Sequence, residues 1–143
     1  MENDKIIKII LDCNRYLKSI TDSRFVFSGS YGLFLNKIIL NRGFKDIDIK
    51  FLDLSVEERK KLQIEFEPHI DKCANIPIEL EYSEVIIEDV PLLVYTPQSI
   101  INAKKYQLDY INKETTIKTE RRLAQKEKIL ADLKYLKETY GIE

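Results

Sequence analysis

The chain has 143 residues, of which 44% are hydrophobic and 10% aromatic, enough for the core of one ordinary domain. Its 23 basic and 24 acidic side chains give a net charge of -1, which excludes binding to nucleic acid or a membrane through overall charge and leaves only a local basic patch. Cys13 and Cys73 show no paired spacing, and no apolar run approaches the roughly 20 residues of a membrane helix, so we expect a soluble, cytoplasmic protein without a disulfide framework.

The first part of the chain is predicted to fold as a helix, a strand and a second helix. Isoleucine, leucine and tyrosine recur at helical spacing over residues 3–20, and residues 24–28 form a short apolar run that is typical of a strand. Gly29 ends this strand. Ser30 is then placed to cap a buried helix, which we expect over residues 31–40.

A second strand is predicted after a turn at residues 41–43. Polar and apolar residues alternate strictly over residues 45–52, so the side chains of Asp46, Asp48 and Lys50 are expected on one face of this strand. The isoleucines between them belong to the opposite face. The sequence therefore predicts two aspartates side by side.

The rest of the chain shows further strand and helix patterns. Ser55 opens a capping box, Thr96 is placed to cap another helix, and Gly141 is placed to end the last one. The predicted elements are a helix over residues 55–66, strands over residues 76–82, 84–87 and 91–95, with a turn at Glu88 and Asp89, and helices over residues 96–111 and 117–140. This order predicts a single α/β or α+β domain over residues 1–143, with a mixed sheet flanked by helices (about residues 1–112) and a C-terminal helical tail.

A strand-to-helix turn and an aspartate pair carry the candidate chemistry. At Gly29 and Ser30 a strand turns at once into a helix, where backbone N–H groups and a hydroxyl can receive a phosphate, and Gly29 and Gly32 allow a ligand to approach the backbone closely. Asp46 and Asp48 repel each other by on the order of a few kcal/mol, and a bound Mg²⁺ ion would remove this repulsion while also holding substrate phosphates. The two features are complementary halves of one site.

Gly29-Ser30 followed by Asp46-Ile47-Asp48 resembles the Gly-Ser…Asp-x-Asp signature of the nucleotidyltransferase (polymerase-β-like) superfamily. The likeness covers about residues 25–136 and is greatest to small, abortive-infection-type (AbiEii-like) nucleotidyltransferases. Three further segments of the chain resemble the family. Residues 77–80 resemble the strand that bears the third carboxylate, and residues 96–104 resemble a helix that bears a lysine. Lys128, Asp132 and Leu133 resemble part of the closing helix. The gap from Ser30 to Asp46 is longer than the tightest family pattern and adds a loop.

The resemblance implies the nucleotidyltransferase fold and an enzyme that transfers a nucleoside monophosphate from ATP or another NTP to an acceptor and releases pyrophosphate. The implied cofactor is Mg²⁺, as one or two ions, with Mn²⁺ as a substitute. The residues with implied roles are Asp46, Asp48 and Glu79 for catalysis and metal binding, and Gly29, Ser30 and Lys104 for nucleotide binding. Glu81 faces the same way as Glu79, so either suits the third acid. Because the larger partner domain of the family is missing or is reduced to the two tail helices, RNA or a protein is favoured as the acceptor.

Simpler interpretations stand beside these roles. Arg42 and Lys45 are placed either to reach a triphosphate or to offset the two carboxylates. Plain solvated positions would also account for Asp46, Asp48, Glu79, Lys104 and Lys105. Packing is the simplest role for the aromatic side chains, although one of them could stack on a base: Tyr31, Phe34, Tyr106, Tyr110 and Tyr135. Aspartate is a poor strand residue, which favours the metal interpretation for the aspartate pair.

Two other classes of protein stay open. One is a catalytically idle protein of the same fold that binds or supports a partner. The other is a nucleic-acid-binding module that acts through the basic stretch around Arg121 and Arg122. Zinc is disfavoured because His69, the single histidine, has no cysteine in ligand spacing, and residues 29–32 lack both a hydrolase nucleophile elbow and a P-loop lysine.

Overall fold

The computed structural model describes residues 2–73, 76–113 and 120–143 as an α+β fold in which helices flank a mixed five-stranded sheet. Its elements are α1 (Asn3–Ile20), β1 (Phe25–Ser28), α2 (Gly29–Leu35), β2 (Ile47–Phe51), α3 (Val56–Lys61), β3 (Ile70–Lys72), β4 (Tyr82–Ile87), β5 (Val90–Tyr95), α4 (Pro97–Lys113) and α5 (Glu120–Tyr140). The predicted mixed sheet with flanking helices is therefore confirmed. Within the described residues, no helix combines the length and apolar character needed to cross a membrane.

The strands lie in the order β3-β2-β1-β5-β4. The central strand, β1, pairs antiparallel with β2 and parallel with β5. β3 joins β2 in parallel, and β4 joins β5 as an antiparallel hairpin. This topology brings the carboxyl end of β1, the beginning of β2 and all of β3 to one corner of the sheet.

α1 covers one face of the sheet. Its buried residues Ile6, Ile10, Cys13 and Leu17 are three or four positions apart and pack as one stripe. The strand residues in the same cluster are Phe25, Phe27, Ile47, Ile49, Phe51, Ile70, Leu92 and Val94. Apolar side chains thus fill this face of the sheet at its central strands.

α2, α4 and α5 pack against the opposite face of the sheet. Val26 of β1 forms a second cluster there with Leu33 of α2, Ile100 of α4 and Leu136 of α5. Asp48 alternates with the buried isoleucines of β2 and is thus directed to the same side as Val26. The C-terminal helices therefore form a wall opposite the aspartate.

Several predicted turns and caps are confirmed. Glu88 and Asp89, between β4 and β5, have φ of 48° and 67°, as the two-residue hairpin turn requires. The hydroxyl of Thr96 accepts a hydrogen bond from the N–H of Ser99 at 3.2 Å, which caps α4. Ser55 caps α3 in a capping box. These local motifs form where the sequence places them. The predicted cap at Ser30 is wrong, because α2 begins at Gly29 and has Ser28 at its N-cap, with no side-chain hydrogen bond there.

The prediction that the second helix reaches residue 40 is wrong. The side-chain amide of Asn36 donates to the carbonyl oxygens of Gly32 at 2.9 Å and Tyr95 at 3.0 Å, and Lys37 has φ of 65°. A side chain that bonds to backbone in this way competes with the next helical turn. The chain then continues through Ile38 and Leu40 as buried but irregular backbone.

The prediction of a strand over residues 76–82 is wrong for residues 76–81, because β4 begins only at Tyr82. Pro77 has no N–H to donate to a strand partner. The strand beside β2 is β3 instead, where the N–H of Ile47 donates to the carbonyl of His69 at 2.8 Å and the N–H of Cys73 donates to the carbonyl of Ile49 at 3.0 Å. The third strand thus lies earlier in the chain than the alternation pattern indicated.

One further helix boundary differs from the prediction, and another falls among residues that the structure does not describe. α3 ends at Lys61, well before residue 66, and an irregular segment follows. The tail helix is described from Glu120, and its predicted start at residue 117 lies outside the described residues. Gly141 ends α5 with φ of 67°, as expected of a glycine at a helix C-terminus.

Candidate active site

A row of three polar side chains crosses the sheet at its corner. Ser28, the last residue of β1, is the register partner of Asp48 on β2, and Asp48 is the register partner of Asp71 on β3. Partners in register project to the same face of a sheet, and neighbouring strands are about 4.8 Å apart. Two carboxylates therefore lie next to each other, facing α4 and α5.

Gly29 gives Asp48 the space that it occupies. A Cβ atom at position 29 would collide with the carboxylate of Asp48, and Gly29 has φ of 61°, a conformation that disfavours other residues. Gly32 has a different role, since a Cβ there would press on the carbonyl of Phe27 at 3.0 Å and on Ile100 at 3.1 Å. The first glycine shapes the site, and the second allows α2 to pack.

The row forms part of a cavity of about 760 Å³. Its sheet side carries Ser28, Gly29, Ser30, Asp46, Asp48 and Asp71, and its helix side carries residues of α4 and α5 that include Lys104, Tyr110, Arg122 and Lys128. A volume of this size is typical of a small-molecule or cofactor site. One side of the cavity is thus rich in carboxylates, and the other is rich in cations.

Asp46 is the third carboxylate of the cavity. It lies one residue before β2 and is exposed, whereas Asp48 is half-buried. Its charge is near enough to Asp48 to act on the titration of that residue. The predicted proximity of the two aspartates agrees with this arrangement, and Asp71 joins them from β3.

The surroundings of Asp48 disfavour its charged form. Burial and then the charge of Asp71 raise the pKa of Asp48 to about 6, and Asp46 contributes in the same direction. Lys104 and Lys128 act in the opposite direction but do not compensate fully. Burial beside Asp71 and Asp46 is therefore unfavourable for the charged form of Asp48, and a bound cation would stabilise that form.

Lys104 and Arg42 are held at the cavity by a buried carboxylate of α5. Asp132, only 2% exposed, accepts two hydrogen bonds from the guanidinium of Arg42 at 2.9 and 2.8 Å. It also accepts one from Nζ of Lys104 at 3.2 Å. The network ties the loop before β2 to α4 and α5, and it fixes the direction of Lys104.

The pKa values around Asp132 follow from this network. Burial alone would raise the pKa of Asp132, but hydrogen bonds and charges from Arg42 and Lys104 outweigh it and lower the pKa. Burial and then the charges of Arg42 and Lys45 lower the pKa of Lys128. Cations of α5 and of the loop before β2 are thus crowded together at the cavity, as the carboxylates are at the corner of the sheet.

The structure brings most of the sequence-predicted site residues together. Five of the six line the cavity, namely Gly29, Ser30, Asp46, Asp48 and Lys104. Arg42 and Lys45 also line it, although Arg42 is engaged by Asp132. Tyr106 and Tyr110 lie on its wall, whereas Tyr31 and Phe34 pack against Phe44.

Glu79 and Glu81 do not line this cavity, and both are exposed in the irregular segment before β4. The sequence assigned Glu79 to a strand beside the aspartate pair. Asp71 occupies that position in the structure. A lone aspartate in a run of three strand residues gives almost no sequence signal. The residues on the helix side of the cavity give a stronger sequence signal, because Ala103, Tyr106 and Tyr110 follow helical spacing.

The chemistry of the donors suits a hard cation. Asp46, Asp48 and Asp71 offer carboxylate oxygens only, the ligand type that Mg²⁺ prefers. Over residues 2–73, 76–113 and 120–143, no three or more His, Cys, Asp or Glu side chains form a ready group that could hold a metal ion. A Mg²⁺ site typically takes one or two carboxylates and completes its shell with water and substrate phosphates, so the donors fit a metal that arrives with its substrate.

No family model, curated protein or solved structure matches this chain.

Proposed function

We propose that the chain has the nucleotidyltransferase fold and transfers a nucleoside monophosphate from an NTP to a hydroxyl group of an acceptor. One observation carries the proposal: Ser28, Asp48 and Asp71 lie in register across three strands, beside the Gly29-Ser30 turn and opposite Lys104. Carboxylates on one wall and cations on the other suit a metal–triphosphate, which presents both charges. The Gly-Ser…Asp-x-Asp resemblance supports the same reaction.

The carboxylates hold the metal in this proposal. Asp46 and Asp48 would bind one or two Mg²⁺ ions, and Asp71 replaces Glu79 as the third acid. The metal would stabilise the charge that develops on the transferring phosphoryl group. Asp46 and Asp48 would orient the triphosphate through the cation that they hold, and that cation would stabilise the charged form of Asp48.

The reaction is an in-line displacement at the α-phosphorus. The acceptor hydroxyl oxygen forms a bond to this phosphorus, the bond to the bridging oxygen of the β-phosphate breaks, and pyrophosphate leaves with that electron pair. Asp71, which is exposed on the edge strand β3, takes the hydroxyl proton. Lys104 and Lys128 offset the charge of the leaving phosphates.

The acceptor is proposed to be a macromolecule, RNA or protein. A cavity of about 760 Å³ suits one nucleotide with its metal. Its open side would admit a hydroxyl from a chain end or a side chain. Lys45, which also lines the cavity, is placed to meet an anionic acceptor such as RNA.

A catalytically idle protein that binds a nucleotide is the second candidate function. The absence of a ready group of three metal ligands among the described residues favours it. Both functions predict nucleotide binding that depends on Asp48, and only the first predicts covalent transfer. Transfer is therefore the property that separates them.

The test is incubation of the protein with Mg²⁺, each NTP labelled at its α-phosphate, and RNA or protein fractions of a lysate. We expect one macromolecular species to acquire the label. Asp48→Asn should abolish labelling, and Glu79→Gln, a matched carboxylate change outside the cavity, should keep it. Mg²⁺-dependent NTP binding without label in any fraction would select the idle protein. Labelling by Asp48→Asn at the wild-type rate would contradict the proposed site.

A further inference from the structure

The cavity extends outward along the facing sides of α4 and α5. Lys104, Gln107 and Tyr110 of α4 line it at intervals of one helical turn, and so do Arg122, Gln125 and Lys128 of α5. Tyr110 meets Arg122, and Lys104 meets Asp132 further along both helices. The two helices are thus antiparallel along the wall, with one end at the carboxylates and the other end outside.

The chemical character of the wall changes along its length. Its inner end carries Lys104 and Lys128, whose charges act on Asp48. The middle carries the neutral amides of Gln107 and Gln125. Amide side chains offer both donors and acceptors, as the edges of nucleobases do. The wall thus runs from lysines at its inner end to amides further out. This sequence of groups matches a ligand that is anionic at one end and neutral, with polar edges, at the other.

The outer end presents an aromatic ring. The guanidinium carbon of Arg122 lies 5.7 Å from the ring centroid of Tyr110, and Tyr110 is 51% exposed. Tyrosine rings and guanidinium planes are the side chains on which nucleobases stack, and such stacking tolerates any base because every base has a π-face. The pair therefore forms a flat surface suited to a heterocycle.

The spacing also fits a nucleotide. Tyr110 follows Lys104 by six residues and Arg122 precedes Lys128 by six residues, which corresponds to about 9 Å along each helix axis. A sugar ring would lie in this interval when the phosphates meet the lysines. The amides of Gln107 and Gln125 lie between, level with the sugar and with the base edge nearest to it.

We infer that Tyr110, Arg122, Gln107 and Gln125 form the subsite for the nucleobase of the bound nucleotide, with Tyr110 as its stacking surface. The inference rests on the proposed function, since it assigns the outer end of the same cavity. It makes the tail helix α5 part of the substrate site. Stacking on Tyr110 is the main interaction with the base, so several NTPs bind. The amides of Gln107 and Gln125 determine which NTP binds most tightly.

Binding of two probes in the presence of Mg²⁺ tests the inference. Inorganic tripolyphosphate has the three linked phosphates of an NTP without the sugar and base, and each of the four NTPs adds a ribose and one base. We expect the preferred NTP to bind wild-type protein about 5- to 100-fold more tightly than tripolyphosphate, the range that stacking of one base supplies. Tyr110→Ala should remove this advantage and leave tripolyphosphate binding unchanged, and Tyr110→Phe should keep it.

Tyr82→Ala is the matched control, because Tyr82 is 40% exposed, contacts another tyrosine and does not line the cavity. It should alter neither affinity. Tripolyphosphate that binds as tightly as every NTP, or a base advantage that survives Tyr110→Ala, would overturn the base subsite and leave the proposed function intact. Failure of both probes to bind would overturn the proposed function as well. Base-dependent binding lost in Tyr110→Ala supports the subsite whether or not an acceptor becomes labelled.

Discussion

Asp48 and Asp71 are register partners on the parallel strands β2 and β3, so that two carboxylates lie beside each other on one face of the sheet. Burial, then the charge of Asp71, and to a smaller extent that of Asp46 oppose ionisation of Asp48. Adjacent like charges of this kind lower the stability of the folded chain unless a cation is bound. The arrangement has consequences for stability, for metal dependence and for catalysis that can be measured separately.

The first prediction concerns the pH dependence of stability without metal. Asp48 has a pKa of about 6 in the folded protein against 3.8 for an unperturbed aspartate side chain, so between these pH values the folded state binds more protons than the unfolded state. Stability therefore falls as pH rises through this window, by about 3 kcal/mol in total. Asp48→Asn should lack this fall and be more stable than wild type at pH 7.5. Denaturant unfolding of both proteins across the window measures it, and equal pH profiles would contradict the assigned environment of Asp48.

The second prediction concerns the backbone turn below the site. Gly29→Ala forces a positive φ on a residue with a side chain and drives its Cβ into the Asp48 carboxylate. We expect it to lower the free energy of unfolding by about 2–4 kcal/mol. Gly43→Ala is the control, because no atom lies within 4 Å of the added Cβ there. Similar stabilities for the two variants would show that position 29 has room.

The third prediction concerns the buried carboxylate of α5. Asp132→Asn leaves Arg42 and Lys104 without the charge that holds them, and we expect a loss of about 2–4 kcal/mol in the free energy of unfolding. The same variant should weaken tripolyphosphate binding, since Lys104 loses its fixed direction. Glu127→Gln, an exposed change on the same helix, should leave both unchanged. Unaltered stability of Asp132→Asn would show that the ion pairs contribute little.

The fourth prediction distinguishes the candidate third acids. Asp71→Asn should reduce nucleotidyl transfer about 100-fold or more, the contribution typical of a positioned acid or base. Glu79→Gln and Glu81→Gln should retain it within a factor of about 2, because neither residue lines the cavity. Initial rates of label transfer measure the difference. A large loss of transfer in Glu79→Gln or Glu81→Gln, with normal transfer in Asp71→Asn, would show that the third acid lies in the segment before β4.

The sequence predicted those parts of the fold that depend on local patterns. The alternation of Ile47, Ile49 and Phe51 identified β2 and the face to which Asp48 points, and the Glu88-Asp89 turn identified the hairpin. These signals are local because each strand has one apolar face and each turn needs particular φ values. The mixed sheet followed from the order of such elements.

The parts that were missed depend on contacts between distant residues. β3 has three residues and exists because the backbone of β2 offers partners to His69 and Cys73, a pairing that no periodicity announces. α2 ends early because the amide of Asn36 reaches the carbonyl of Tyr95, which follows it by 59 positions. Asp71 lies on β3, so it could be identified as the third carboxylate only after the pairing of β3 with β2 was known.

The central claim is that the Gly29-Ser30 turn and the carboxylates Asp46, Asp48 and Asp71 form one site for a metal-bound nucleotide. The most direct measurement is the thermal unfolding midpoint of wild-type protein and Asp48→Asn with Mg²⁺, NTP, both or neither. Ligand at 100 times its Kd adds about 2.7 kcal/mol, so we predict a rise of several degrees in wild type only when Mg²⁺ and NTP are both present, and none in Asp48→Asn. No rise in wild type, or an equal rise in Asp48→Asn, would contradict the claim.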